Sequence, residues 1–231
     1  MIILGIETST FAGSLALIRD DSLLCEYSFN VGARHNEIVL PSIKRLLEDA
    51  GIEKEEIYGI SVSAGPGSFT SLRVGISTAK ALAFSLGIKL TSVSSLEILA
   101  SNIFSTEHQI CPVINAKKNE VYYGFFNNYD KLIRLTPDSF ASPDYLCEII
   151  KDKTVFLGEG ALEYKGLLET KLGEKALFVP PNFNTAKASS CALLGRKRFL
   201  KNEFENSAAF APNYLRKSEA EIKHQLTKED K

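Results

Sequence analysis

The apolar run Ile2–Ile6 reads as a buried strand, and Glu7-Thr-Ser-Thr10 turns the chain into a second strand over Gly13–Ile18. Asp20-Asp21 then predicts a hairpin turn into a third strand, Leu23–Phe29. From Asn36 to Ala50, apolar positions at Val39, Ile43, Leu46, Leu47 and Ala50 share one face of a helix that Gly51 stops. Pro41 conflicts with that helix and predicts a bend in its first turns or a later start. Ile57–Ser63 is strand-like, a helix follows over Ser71–Ser85 with Gly87 at its end, and Lys89–Val93 returns as a strand. Ser94 or Ser95 caps a further helix through Ile103. Three adjacent strands followed by alternating helices and strands predict an α/β chain with a mixed sheet.

A second section opens near Ile110. Strands over Cys111–Asn115 and Glu120–Phe126 flank a turn at Ala116-Lys-Lys-Asn119, and Leu132–Leu135 adds another. Asp144–Ile150 is a candidate helix, Thr154–Leu157 a strand that runs into Gly158-Glu-Gly160, and Thr185–Leu200 a helix beyond the Pro180-Pro-Asn182 break. The polar stretch Ser105–Gln109 between two apolar patterns marks a boundary, and the charged segment Lys217–Lys231 reads as exposed.

Composition narrows the function. At 45% hydrophobic and 24% charged residues, the 231-residue chain is long and apolar enough for a substantial core. A net charge of −1 gives no global basic field for binding nucleic acid alone. Cys25, Cys111, Cys147 and Cys191 are widely spaced and form no CxxC pair, which favours reduced thiols in the cytoplasm. No basic leader precedes the first strand and no apolar run would span a bilayer.

The candidate chemistry centres on Gly65-Pro-Gly-Ser-Phe-Thr-Ser-Leu-Arg-Val-Gly75. Gly65 and Gly67 permit a tight bend, and Ser68 or Thr70 can cap the next helix, whose free N–H groups would favour an anion. The same geometry can simply turn the chain, and neither a Walker Lys-Ser/Thr ending nor GxGxxG is present. Gly75, Ala79 and Ala83 form a small stripe that admits a close neighbour, either the chain's own sheet or a partner. Glu7-Thr8-Ser9 can stabilise a turn or face a nucleotide. Arg73 can hold phosphate or bridge to a carboxylate such as Glu7 or Glu37. His35 has no second histidine one turn on, so it reads as a helix cap or surface hydrogen bond rather than a metal ligand. Ser68 lacks a His/Asp relay. Lys117 and Lys118 sit on a hairpin rim that can touch an anion. Lys187, Arg196, Lys197, Arg198 and Lys201 form a basic region, read as a solvated face or a contact with an RNA-bearing assembly.

Ile3-Leu-Gly-Ile-Glu-Thr-Ser9, His35-Asn-Glu-Ile-Val-Leu-Pro41, the glycine block, Asn115-Ala-Lys-Lys-Asn-Glu-Val-Tyr122 and Ala211-Pro-Asn-Tyr-Leu-Arg216 occur in that order. With them the chain resembles the bacterial TsaB-like subunit of the tRNA threonylcarbamoyladenosine biosynthesis system. Glu7 and Ser71 stand where that family commonly has Asp and Gly, and Asn115 and Lys117 where it often has Asp and Arg. The resemblance implies an actin-like ATPase-domain fold with two related mixed-sheet domains in a duplicated architecture. It divides the chain into 1–107, carrying a helix-mediated partner interface, 108–212, and a 213–231 helix or tail returning toward the first domain.

The implied role is a noncatalytic cytoplasmic subunit that supports a metal-bearing TsaD-like transferase and works with a small TsaE-like ATPase. Together they add threonylcarbamoyl to N6 of adenosine 37 in tRNAs reading codons that begin with A. ATP and metal belong to the partners, tRNA is met through the assembled complex, and no cofactor, metal ligand or catalytic residue is expected in this chain. The implied contact face, which can also form a homodimer, comprises Val39, Ile43, Leu46, Leu47, Leu72, Gly75, Ile76, Ala79 and Ala83. Weak nucleotide binding would use Glu7, Thr8, Ser9, Gly65, Gly67, Ser68, Arg73, Gly158 and Gly160. The alternative is an autonomous nucleotide-dependent phosphotransferase or ATPase built on those residues, with a peptidase as a third reading.

Overall fold

The computed structural model describes residues 1–30, 32 and 34–216; the charged segment 217–231, expected to be exposed, lies outside the described residues. Strands β1 (Ile2–Glu7), β2 (Ala12–Arg19) and β3 (Ser22–Asn30) form an antiparallel meander, followed by helix α1 (His35–Ala50). Strand β4 (Ile57–Ser63), helix α2 (Phe69–Leu86) and strand β5 (Lys89–Val93) then extend the sheet in parallel, giving the order β3-β2-β1-β4-β5. The predicted mixed sheet is present.

Helix α3 (Ser95–Ala100), capped by Ser94, leads to the second sheet. Its long strand β6 (Thr106–Lys117) pairs antiparallel with β7 (Glu120–Tyr123) and β8 (Phe126–Asn128). After β9 (Leu132–Arg134) and β10 (Ser139–Ala141), helix α4 (Pro143–Ile149) leads to β11 (Thr154–Leu157). Helices α5 (Glu159–Glu163) and α6 (Lys165–Leu172) precede the edge strand β12 (Ala176–Phe178), and α7 (Ala188–Leu200) follows. The order is β10-β7-β6-β11-β12, with β8 and β9 to one side. The polar stretch after Phe104 is therefore already strand, because Thr106 pairs with Asn128 and its backbone bonds are met inside the sheet. The region 159–178, without strong periodicity, holds α5, α6 and β12.

Burial explains the composition of β1, every residue of which is buried. Ile2, Leu4 and Ile6 pack under α1 and α2, with Val39, Leu46, Ile76 and Ala79. Ile3 faces the other way, onto Ala192 and Phe199 of α7. A strand covered on both faces needs an unbroken apolar run rather than alternation. Helix α7 thus crosses the first sheet although it comes from the far end of the described chain. Its first N–H groups are taken by the first sheet: Ala188 N donates to Ser14 Oγ at 2.6 Å and Ser189 N to Glu26 Oε1 at 2.8 Å. Between the sheets, Leu96 and Leu99 of α3 meet Ile110, Ile114 and Leu194.

Pro41 does not delay the start: α1 begins at His35 and continues through it. The carbonyl left without its N–H partner belongs to Glu37, and both residues are on the exposed face where water can satisfy it. His35 does not cap the helix. It is buried with its ring edge on Phe29, centroids 5.8 Å apart, and burial lowers its pKa. Gly51 and Gly87 end α1 and α2 in the left-handed conformation, as their positions predict. The four cysteines are free, three of them buried, and burial pushes the Cys191 thiol up to about 12. Among the described residues no helix is long and apolar enough to cross a membrane.

Candidate functional site

The glycine block leaves β4 as a turn that is held on both sides. Ala64 N donates to Val93 O at 2.8 Å, Ser95 N to Gly65 O at 2.9 Å, and Ser68 N to Ser9 O at 2.7 Å. Gly65 has φ +97°, where a side chain is strained. Gly67 lies so close to Ser9 that an added Cβ would stand well under 3.0 Å from its carbonyl oxygen. Ser68 caps α2, its hydroxyl accepting from Ser71 N at 3.5 Å. One turn into the helix, Gly75 lies against the Thr8 hydroxyl, which donates to Ser71 O at 2.9 Å. The glycines are thus used to pack the turn and α2 onto the end of β1.

Glu7 is completely buried beside this turn. Its Oε1 accepts from Ser9 N at 2.6 Å and Ser9 Oγ at 2.5 Å, and the Ser63 hydroxyl lies nearby. Burial pushes its carboxyl above the ordinary value of 4.5, against the opposing effect of the Ser9 and Ser63 hydrogen bonds. With the folded pKa above the unfolded one, Glu7 contributes stability that is present below about pH 4.5 and lost as pH rises through the folded pKa. In Glu7→Gln that loss should vanish. Urea unfolding between pH 4 and 8 should show the variant's stability rising relative to the parent as pH increases; a constant difference would show Glu7 is not titrating.

Between the two sheets lies a cavity of about 200 Å³, lined by Phe11, Ser68, Phe69, Lys117, Glu159 and Arg216 among others. Lys117 reaches across it to within 5.5 Å of the Phe11 ring. Of the residues expected to meet a nucleotide, Gly67 and Ser68 line this cavity. Glu7, Thr8, Ser9 and Gly65 are buried behind it. Arg73 turns away, its Nε donating to Tyr214 Oη at 2.8 Å. Gly158 and Gly160 face β6, where a Cβ on either would crowd the Val113–Asn115 backbone, and Gly158 N donates to Asn184 Oδ1 at 2.9 Å. Thr10, Phe11 and Glu159 also line an adjoining cavity of about 310 Å³, and most of the residues expected to meet a nucleotide pack the turn rather than line the cleft. Glu159, between the two glycines, is a cavity residue that the glycine pattern did not single out.

The second feature is an apolar groove of about 600 Å³ between α1 and α2, lined by Leu40, Pro41, Leu47, Leu82, Ser85 and Leu86 and flanked by Lys44 and Lys54. Leu40 is 56% exposed. The expected contact residues lie mostly beneath it. Val39, Ile43, Leu46, Leu72, Gly75, Ile76, Ala79 and Ala83 are buried, and only Leu47 is half-buried. The Gly75–Ala79–Ala83 stripe brings α2 close to its own sheet, so these residues position the groove's walls. Leu40 is exposed while Leu82 and Leu86 are half-buried against the core, and Leu40 and Leu82 are groove residues that the inward periodicity did not single out.

Two of the five residues of the basic region, Arg196 and Arg198, are ion-paired within the chain. Arg196 Nη1 meets Asp21 at 3.0 Å and Arg198 Nη2 meets Glu97 at 3.0 Å. Among the described residues no group of three or more His, Cys, Asp or Glu side chains is placed to hold a metal.

A family model described as "TsaD: tRNA N6-adenosine threonylcarbamoyltransferase" matches residues 30–224. A Bacillus subtilis protein, tRNA threonylcarbamoyladenosine biosynthesis protein TsaB, is 33% identical, the match covering 96% of this chain and 97% of that one. The crystal structure of YeaZ from Pseudomonas aeruginosa superposes with a TM-score of 0.78 at 23% identity, covering 93% of this chain and 99% of that one. The activator of 2-hydroxyisocaproyl-CoA dehydratase from Clostridium difficile, solved with bound ADPNP, gives 0.51 at 10% identity, over 89% and 99% of the two chains. These likenesses establish an actin-like ATPase-domain fold with two mixed-sheet halves.

Proposed function

Because the chain belongs to the TsaB family of tRNA threonylcarbamoyladenosine biosynthesis proteins, we propose that it is a noncatalytic subunit that assembles with a TsaD-like transferase. In that assembly it supports N6-threonylcarbamoylation of adenosine 37 in tRNAs reading codons that begin with A. The observation that carries this reading is the apolar groove between α1 and α2. Leu40 is exposed and Leu47, Leu82 and Leu86 are half-buried, which gives a second surface apolar area to bury, at roughly 1.5–3 kcal/mol for a side chain taken fully from exposure. At the rim, Lys44 and Lys54 each lie 3.7 Å from a carboxylate of the same chain, Glu48 and Glu55, so the groove is edged by mixed charge around an apolar centre.

The two helices of this face serve the same partner, with Val39, Leu46, Leu72, Gly75, Ile76, Ala79 and Ala83 as their inner support and Ile43 and Leu47 lining the groove itself. A second copy of the chain competes for the groove as a homodimer, and a TsaE-like ATPase joins the heteromeric complex. The tRNA is met through the transferase, with Arg196 and Arg198 already paired in this chain. Co-expression with a tagged TsaD-like subunit tests the reading. A stoichiometric complex through size exclusion is expected, whereas separate elution at micromolar concentration would overturn it.

The alternative of an autonomous phosphotransferase requires a nucleotide in the cleft. Titration of the isolated chain with Mg²⁺ and ATP up to millimolar concentration should give no saturable binding. Saturable binding followed by turnover would restore the alternative.

A further inference from the structure

After α7 the chain makes a long return over the first sheet before residues 215 and 216 reach the second. Glu205 N donates to Leu90 O at 2.8 Å, continuing the edge of β5, and Ser92 Oγ donates to Glu205 Oε1 at 2.5 Å. Lys80 of α2 donates to Phe210 O at 2.9 Å, and the Phe210 ring packs on the core beneath that helix. Asn213 N then donates to Ala64 O at 2.7 Å, on the turn that enters the glycine block. Tyr214 stacks on Phe69 with centroids 4.4 Å apart and planes 13° apart, and its hydroxyl accepts from Arg73 Nε. Every anchor to this point belongs to the first sheet and its helices.

The last two residues of this stretch change sides. Leu215 packs into the apolar cluster between the sheets, which includes Ile114 and Tyr122. Arg216 Nη1 donates to Ala116 O at 2.9 Å, and its Nε lies 3.2 Å from Glu120 Oε2. Both acceptors are on the β6–β7 hairpin. Arg216 also lines the cavity together with Phe69, the first residue of α2. Residues 213–216 therefore hold the turn into α2, the start of α2 and the facing hairpin at once, through five donor–acceptor or ring contacts at named atoms.

We propose that residues 203–216 form a clasp that fixes the two halves of the fold relative to one another and keeps the cavity between them closed. Arg216 is its catch on the hairpin, and Tyr214, wedged between Phe69 and Arg73, is its catch on α2. Releasing either catch frees the hairpin to move away from the α2 turn, while the interior of each half stays folded. This inference rests on contacts within the chain and stands apart from the partner reading.

Hydrogen–deuterium exchange on the full chain tests it. In Arg216→Ala, amides of residues 113–123 should exchange at least about fivefold faster, with α1 unchanged. The milder Tyr214→Phe keeps the ring stack but loses the hydroxyl, and should accelerate residues 213–216 and the same hairpin at least about twofold. Acceleration confined to 203–216, with the hairpin at the parental rate, would overturn the clasp and leave the segment packed on the first half alone. Should Arg216→Ala unfold and exchange everywhere, the Tyr214→Phe result decides between the same two outcomes.

Discussion

Leu40→Glu should abolish assembly with the TsaD-like subunit while leaving the chain folded. Leu40 stands at the mouth of the α1–α2 groove and is more than half exposed, so a carboxylate there remains hydrated in the free protein. Surface changes of this kind usually alter stability by no more than about 0.5 kcal/mol. In the complex the same carboxylate must lose its water against an apolar surface without a designated partner. Truncating or charging a central interface residue costs about 2–4 kcal/mol, so affinity should fall roughly 100-fold. Titration calorimetry with the purified transferase subunit measures this. Parental affinity in a folded Leu40→Glu chain would place the interface elsewhere. Ala79→Glu is the less informative variant, because Ala79 is fully buried under α2 and the charge would unfold the chain before it met a partner.

Gly67→Ala should be the most damaging single methyl in the molecule's central turn. The added carbon would press on the Ser9 carbonyl, a backbone atom that also accepts the Ser68 N–H. A rigid neighbour cannot swing aside as a side-chain end can, so the turn, the start of α2 and the end of β1 must separate. The expected cost is about 3 kcal/mol, lowering Tm by about 6–12 °C for a chain of this size. Gly166→Ala is the matched control: it lies in α6 with no atom near its added Cβ and should be neutral or slightly stabilising. Calorimetric scans of the two variants decide it, and equal Tm values would contradict the packing role assigned to the glycine block.

The sequence carried the elements wherever one periodicity dominated. The all-apolar β1, the inward stripe of α1 and the glycine-stopped end of α2 were readable because local chemistry and tertiary burial demanded the same residues. Legibility failed where distant partners supplied what the local sequence lacked. The strand beginning at Thr106 is polar in sequence and is held by Asn128 across the sheet. Helix α7 has no capping side chain of its own, since Ser14 and Glu26 take that role from the first sheet. The site divided in the same way. Small and apolar residues in α1 and α2 marked those helices as special, yet residues that let helices approach a sheet and residues that let them approach a partner are chemically alike. Only burial separates Ala79 beneath α2 from Leu40 and Leu82 at the groove. The glycine pattern likewise reads as a phosphate turn from sequence, whereas Gly67 and Gly75 have a packing use, against Ser9 and Thr8, that only the fold reveals.

The central claim is that this chain acts by assembly and not by chemistry of its own. Reconstitution with purified TsaD-like and TsaE-like subunits, unmodified tRNA and threonylcarbamoyl-adenylate measures it directly, by mass spectrometry of the adenosine modification. The account predicts no product from this chain alone, product when the parental chain joins the mixture, and little or none when Leu40→Glu replaces it. Product formed at the same rate without the chain, or by the chain alone, would contradict it.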